Sequence, residues 1–399
     1  MERSDESILI INPGWEQDDL VKFCLDNFKN IHAIFFSKKI KKFRGLSSYK
    51  IIDFSKKEKI LFWVKKKKIK YIFSDQCDYS LFLQSFLCSK LKIFGPSFIN
   101  GKLSCDKKKL YQKCIKFNIR IPTTFYFKKI KKKNNKRLSN KKLIVKPKDN
   151  RGSIGVSTSN CEVDLYKKIE YAQKNSLTKE AVVQEFIKGK NFIIESNGTD
   201  IKMIGEKRMN QSIPYMNDDI LFERLNKKSK IHIKLKKNHI KILKLLNFLK
   251  GNVSAEYIVD KRKKIWLIEL TNRGGGVAIS SKIKSILTGV NNYFTIYKNF
   301  IKNSKKLRKK YLFKKQKYAY LKYIQFNKSH INTLSYKRNI NKMKGYSFHH
   351  IWQKFPSKIE KTIDATKRSG ILITHGNSKS DVKKFSKKIL FNIYPRPVI

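Results

Sequence analysis

The residues best equipped for chemistry lie in the stretch 265–277, IWLIELTNRGGGV, where an apolar run ends in Glu269, Asn272, Arg273 and three successive glycines. Just upstream, 253–260 (VSAEYIVD) alternates as a second strand, and the charged turn 261–264 joins the two into an antiparallel hairpin. Glu256 and Glu269 stand an odd number of positions apart, which is compatible with cross-strand partners whose side chains share a face. Two readings are open for such a pair. One is a pair of solvated glutamates on an edge hairpin. The other is a divalent cation held by hard oxygen ligands, which for Mg²⁺ means one or two carboxylates together with phosphate oxygens.

The second reading requires a phosphate cradle elsewhere in the chain. The stretch 143–156, LIVKPKDNRGSIGV, offers one: a short β-branched strand, Lys146 near its end, Pro147, then a polar loop with Gly152, Ser153 and Gly155. Glycines let backbone N–H groups converge on an anion, and a lysine adds a point charge. A Gly-Ser loop between strands also occurs where nothing binds. The spacing matches neither the Walker loop nor the dinucleotide fingerprint.

A third stretch, 181–196 (AVVQEFIKGKNFIIES), reads as a buried strand, a turn at 188–190 and another strand. Taken in this order, the three stretches resemble the ATP-grasp superfamily of ligases, over roughly 92–293 and more loosely over the whole chain. Within that span 92–122, KIFGPSFINGKLSCDKKKLYQKCIKFNIRIP, looks like the start of the grasp module. The resemblance implies that Lys107 and Lys146 reach the nucleotide phosphates and that Gly152, Ser153 and Gly155 belong to the loop that folds over them. It also puts Gln184 opposite the adenine amino group, the backbone of Glu185, Phe186 and Ile187 at the adenine edge, and Asn191 at the ribose. Glu256 and Glu269, with Asn272, match the metal ligands, and Arg273 matches the arginine that holds the acyl phosphate or the substrate carboxylate. Two positions depart from the family pattern. The asparagine usually found two residues after the second carboxylate is displaced by one, with Thr271 in its place, and the usual ribose-gripping glutamate is Asn191.

The activity so implied uses ATP and Mg²⁺, or Mn²⁺ in its place, to phosphorylate a small-molecule carboxylate, which an amine, or less often a thiol, then captures. Within the superfamily the alternative is a carboxylase of the purine-pathway or biotin-carboxylase type. A reading of another class is a polyanion- or nucleic-acid-binding protein with an inert nucleotide fold. The oligomeric state stays open, with a homodimer as the state that related enzymes often show.

Composition bounds these readings. The 399 residues are 40% hydrophobic and 12% aromatic, which is a globular composition. A formal net charge of +61 invites a nucleic-acid partner, but the basic residues are spread along the chain and are overwhelmingly lysine, where base and phosphate forks favour arginine. The expectation is only non-specific, salt-sensitive binding of polyanions, together with a raised local concentration of ATP. Cys24, Cys77, Cys88, Cys105, Cys114 and Cys161 show neither CxxC spacing nor partnering histidines, which argues against a zinc site and for buried thiols in a reducing compartment. The segment 1–7 is polar, without the apolar run of a secretory signal, and no apolar run approaches the ~18 residues that span a bilayer. A cytoplasmic location is expected, with no membrane partner.

These residues need a scaffold, and the pattern along the chain indicates a mixed α/β and α+β one. Over 1–100, short apolar strands (ILIIN, HAIFF, YKIIDF, YIFSD, KIFGP) alternate with helices at 18–28, 57–68 and 79–91, the signature of a doubly wound parallel sheet. Its loops at 12–17 and 74–78 bring Trp15, Asp75 and Gln76 forward as cleft candidates, with ordinary surface loops as the plainer reading. An ATP-grasp domain of two α+β subdomains follows over 101–302, as 101–180 and 181–302. It contains a helix at 105–117, a lysine- and asparagine-rich connector at 128–142 and a polar loop at 212–226. A helix at 236–250 buries Ile240, Leu243, Leu246, Phe248 and Leu249, and two helices over 280–302 break at Gly289. A small C-terminal β/α lid occupies 303–399, where His375 beside Gly376 reads more readily as structural than as a catalytic base.

Overall fold

The computed structural model describes residues 3–36, 43–128, 141–160, 162–226, 228–301, 304–326, 330–360 and 362–396. The connector positions 129–140 and Cys161 lie outside them. Among the described residues no helix is long and apolar enough to cross a membrane.

The chain begins with β1 (Ser4–Ile11), α1 (Asp18–Asn27), β2 (Phe28–Phe35), β3 (Ser48–Ile51), α2 (Lys57–Lys66), β4 (Tyr71–Phe73) and α3 (Asp78–Leu91). The strands form a parallel sheet in the order β3-β2-β1-β4. β1 ends in a run of isoleucine and leucine because both of its faces are covered. Ile8 and Ile10 pack with Leu20, Phe23 and Cys24 of α1, while Leu9 and Ile11 pack on the other side with Ile60, Val64 and Leu83. The expected strand at 92–96 is absent. Lys92 takes a left-handed φ of 54° and closes α3, and Ile93 N–H returns to Cys88 O, so those apolar residues cover a helix end.

Two short helices follow where one was expected, α4 (Phe98–Cys105) and α5 (Lys107–Lys116). Each has its own side-chain cap, Ser97 accepting from Asn100 N–H and Asp106 from Lys109 N–H. β5 (Thr124–Phe127), β6 (Leu143–Pro147), β7 (Ser157–Ser159), α6 (Glu162–Lys174) and β8 (Ala181–Glu185) build a small antiparallel sheet, ordered β5-β8-β6-β7 and backed by α6.

The large sheet starts with β9 (Gly189–Asn197), β10 (Asp200–Met209) and β11 (Asn217–Glu223). β11 lies inside the stretch expected to be loop, and its Ile220 and Phe222 are buried. Next comes α7 (Lys230–Leu246), which starts earlier than expected because Ser229 caps it; Leu243, Leu246 and Phe248 are buried, whereas Ile240 is half-buried and Leu249 exposed. The hairpin β12 (Asn252–Asp260) and β13 (Ile265–Thr271) pairs as the alternation requires. The short helix α8 (Lys284–Thr288) stops at Gly289, whose φ is +75°. Then come β14 (Tyr318–Ile324), β15 (His330–Ile331), β16 (Thr333–Tyr336), β17 (Tyr346–Ile351), β18 (Ser357–Lys358), β19 (Gly370–Gly376), the helix Lys379–Leu390 and β20 (Ile393–Arg396). The sheet order is β13-β12-β9-β10-β11-β14-β19-β17, so the C-terminal segment continues the central sheet through β11 and β14.

Candidate active site

A cavity of about 670 Å³ is lined by both the small and the large sheet and by the glycines after β13. The period-2 alternation of β12 decides what faces it. Val253, Ala255 and Tyr257 join the core against α5 and α7, while Ser254, Glu256 and Ile258 line the cavity. The register pairs Glu256 directly with Glu269, with a ladder irregularity just beyond. Opposed residues on adjacent strands have Cβ atoms about 5 Å apart, so both carboxylates can reach one ion. Lys207 of β10 forms an ion pair with Glu256 and also lines the cavity.

Lys146 and Lys107 reach the same space. Lys146 is buried, its Nζ donating to Tyr111 Oη at 2.9 Å, and Tyr111 in turn donates to Ile268 O at 2.8 Å. Burial, reinforced by the charge of Lys107 and opposed by Glu269 and Glu256, pushes the Lys146 ammonium down to about 7. Lys107 Nζ donates to Asn150 O at 2.8 Å, which ties it to the polar loop. Gly152 and Ser153, both left-handed, line the cavity. Gly155 does not: a Cβ there would stand 2.6 Å from Asn175 Cβ and 2.8 Å from Pro147 Cγ, so this glycine serves close packing of the loop base.

Gln184, Glu185, Phe186, Ile187 and Asn191 line the end between the sheets, with Ile144, Ile258 and Ile268. Gln184 Nε2 donates to Thr124 Oγ1 at 2.8 Å, Glu185 N–H to Thr123 O at 3.1 Å and Phe186 N–H to Lys142 O at 2.9 Å. Asn191 lies opposite Lys207 and Ile258, and its amide donates back to Gly189 O.

Arg273 also lines the cavity, but its fork is already engaged. Nε meets Asp78 Oδ1 at 2.6 Å, Nη2 meets Oδ2 at 2.9 Å, and Nη1 donates to Gly274 O. Burial works against both charges, yet the pairing more than offsets it: Asp78 is held below the usual carboxylate range and Arg273 above its ordinary value. Asn272 is a correction. Its Nδ2 donates to Lys250 O at 2.7 Å and Asn252 O at 2.9 Å, its Oδ1 accepts from Asn100, and it lies outside the cavity wall, so it is not placed as a metal ligand.

The paired donors that the hairpin turns to the cavity are therefore the carboxylates of Glu256 and Glu269, and among the described residues no group of three or more His, Cys, Asp or Glu gathers as a metal site. A pair of hard oxygen ligands fits Mg²⁺ or Mn²⁺, whose remaining positions go to phosphate and water. Asp75, expected at the cleft, is buried instead and accepts from Gly274 N–H and from Tyr293 Oη. Trp15 and Gln76 do line the cavity. His375 lies on β19 away from the cavity, with Nδ1 2.6 Å from Ser347 Oγ. Residues that sequence reasoning passed over include Glu16, Arg151, Lys207, Trp352 and Arg368. Glu16 and Arg151 lie in stretches the sequence does single out, 12–17 and 143–156, and Lys207 carries the alternation of β10, whereas Trp352 and Arg368 have no local signal.

Residues 104–276 match the model of the ATP-grasp domain. No curated protein matches the sequence. Among solved structures the chain is similar to an L-amino acid ligase from Bacillus licheniformis, with a TM-score of 0.78 and 14% identity, covering 100% of this chain and 100% of that one. It is similar to phosphoribosylglycinamide synthetase from Anaerococcus prevotii, with a TM-score of 0.71, 17% identity and coverage of 99% and 100%. It is also similar to a biotin carboxylase from Campylobacter jejuni, with a TM-score of 0.67, 15% identity and coverage of 99% and 92%. At these identities the likeness establishes the fold.

Proposed function

We propose that this chain, which carries an ATP-grasp domain over 104–276, is an ATP-dependent ligase: it phosphorylates a substrate carboxylate, and an amine, or less often a thiol, displaces the phosphate. The observation that carries the reading is the in-register pair Glu256 and Glu269, facing one cavity with Lys107, Lys146 and Arg273. A carboxylate oxygen is a poor leaving group, and transfer of a phosphoryl group to it is what makes displacement feasible. Lys107 and Lys146 hold the phosphates and offset their charge. Glu256, Glu269 and the backbone beside them would hold Mg²⁺, which supplies charge neutralisation between phosphate oxygens. Gln184 and the 185–187 segment present polar atoms at the base end, and Asn191 presents an amide at the sugar. Arg273, pinned by Asp78, offers its remaining N–H groups in a fixed plane to the acyl oxygen.

Similarity to an L-amino acid ligase supports this reading, and similarity to a biotin carboxylase supports the carboxylase alternative, so the product decides between them. On this reading 1–100 and 303–399 wall the acceptor end of a grasp module over 101–302, the compartment is the cytoplasm and the assembly a homodimer. The test is ADP release by the purified protein against pooled carboxylic acids and amines, with mass spectrometry of the product. ADP formation that needs both pools and Mg²⁺, and that is lost in Glu269→Ala, supports the ligase. Salt-sensitive RNA binding with no response to nucleotide supports the polyanion-binding alternative and ends this one.

A further inference from the structure

The cavity has a second compartment whose chemistry differs from the first. From β12, which carries Glu256, to β14, which carries Tyr323, the sheet order takes four strand-to-strand steps. At ~4.8 Å per step this is roughly 19 Å, so the far end stands well clear of the acidic pair. That end is lined by Trp15, Trp352, Tyr323, Ile220 and Ile279, with Glu16 following Trp15 and with the Arg368 guanidinium 3.5 Å over the Tyr323 ring. The aromatic wall is built rather than incidental. Phe348, His350 and Trp352 alternate on one face of β17 and its extension, and Trp15, from the loop after β1, stacks across them. Its ring centroid lies 4.0 Å from His350, 6.2 Å from Trp352 and 6.3 Å from Phe348, with interplanar angles of 15°, 25° and 10°.

Glu16 follows Trp15 directly and accepts from Val277 N–H, beside the glycine loop that leads from Arg273. Burial raises its carboxyl above the ordinary range, opposed by the Val277 N–H and by the charges of Arg273 and Arg151, with Asp75 adding to the rise. A carboxylate set at the rim of an aromatic compartment, beside the loop that leads from Arg273, suits a cation that arrives with an apolar body. Resting on the ligase reading above, we propose that this compartment receives the amine substrate, and that the substrate is an ammonium carrying an aromatic or bulky aliphatic group, its nitrogen held by Glu16 and its apolar part against Trp15 and Trp352.

Two of the four tryptophans of the chain stand at this wall, so intrinsic fluorescence reports on it directly. The probes are L-phenylalaninamide, glycinamide and 3-phenylpropanoate, each titrated into the full chain with Mg²⁺ and a non-hydrolysable ATP analogue. L-Phenylalaninamide should change the emission saturably and bind at least about 10-fold more tightly than glycinamide, the order of discrimination that an apolar pocket supplies. Trp352→Ala should weaken it by about 10- to 200-fold, Trp352→Phe should restore most of the binding, and Glu16→Gln should weaken L-phenylalaninamide while sparing 3-phenylpropanoate. A Mg²⁺-dependent nucleotide response that persists in each variant certifies its fold. Equal binding of glycinamide, or preference for 3-phenylpropanoate, overturns the inference while leaving the ligase reading intact. Absence of any nucleotide response in the unmodified protein overturns the ligase reading itself.

Discussion

Replacing Lys146 with Met should make the nucleotide-free protein more stable and the site useless, with a pH dependence that identifies the cause. In an unfolded chain a lysine titrates near 10.4, whereas burial and Lys107 bring Lys146 to about 7 in the folded one. Between those values the unfolded chain binds a proton that the native chain has lost, so this residue makes stability rise with pH from about 7 toward 10.4. Below about 7 the native state must bury the full charge, and the interval corresponds to a cost of about 5 kcal/mol. Methionine removes that cost and gives up the hydrogen bond to Tyr111 Oη, worth about 1 kcal/mol. The variant should therefore be more stable by about 4 kcal/mol at pH 6, and the gain should shrink toward zero by pH 10. Urea melts of both proteins without nucleotide at pH 6, 8 and 10 measure this, and taking the difference cancels the titration of the other lysines. The Met variant should also lose stabilisation by MgATP, because the charge that the phosphates would recruit is gone. A difference that does not move with pH, or a variant weaker at pH 6, refutes the reasoning.

Other perturbations separate architecture from chemistry. Asn272→Ala should cost about 2–4 kcal/mol by stranding the carbonyls of Lys250 and Asn252, yet leave the Mg²⁺ concentration for half-maximal nucleotide stabilisation unchanged, as denaturation and a metal titration would show. Gly155→Ala forces a side chain into Asn175 and Pro147 at a φ of +72°, and should weaken nucleotide binding at least about 10-fold by calorimetry, since the loop must shift. Asp78→Asn leaves the Arg273 charge without its buried partner, and about 3–5 kcal/mol of stability should disappear in chemical denaturation.

What the sequence disclosed and what it hid follow from the range of the interactions. The hairpin carrying Glu256 and Glu269 was legible because alternation and a charged turn are local, and the odd separation allowed the pairing that the register shows. The parallel first sheet was legible for the same reason, its central strand being apolar on both faces. Asn272 was misplaced because family spacing alone does not tell whether an amide points at a ligand or at two buried carbonyls. The run KIFGP looked like a strand because its apolar residues bury something, and only the left-handed Lys92 shows that the buried thing is a helix end. β11 was hidden behind Asp218, Asp219 and Glu223, charges satisfied by Arg208, Lys322 and Lys379 from elsewhere in the fold. The wall of Trp15 and Trp352 joins residues from opposite ends of the chain and has no local signature.

The glycine loop after β13 shows why the arginine matters there. Three glycines beside a reactive centre suggest backbone N–H groups poised for a developing negative charge. Here four of the loop's N–H groups are occupied: Gly274 N–H donates to Asp75 Oδ1, Gly275 N–H to Glu195 Oε1, Val277 N–H to Glu16 and Ala278 N–H to Gln76 Oε1. Glu195 is buried against Lys284, with Nζ and Oε2 3.4 Å apart, so the loop is anchored to an ion pair inside the large sheet. Two of the glycines are required by crowding, since a Cβ on Gly274 would stand 2.1 Å from Ser280 Oγ and one on Gly275 2.8 Å from Glu195 Oε1. Three carboxylates, those of Asp75, Glu195 and Glu16, accept from this loop, so the N–H groups they hold are not available to an oxyanion. On the proposed ligase reading, charge on the acyl oxygen would be met by a side-chain cation, and Arg273, fixed in plane by Asp78 at the head of that loop, lines the cavity there.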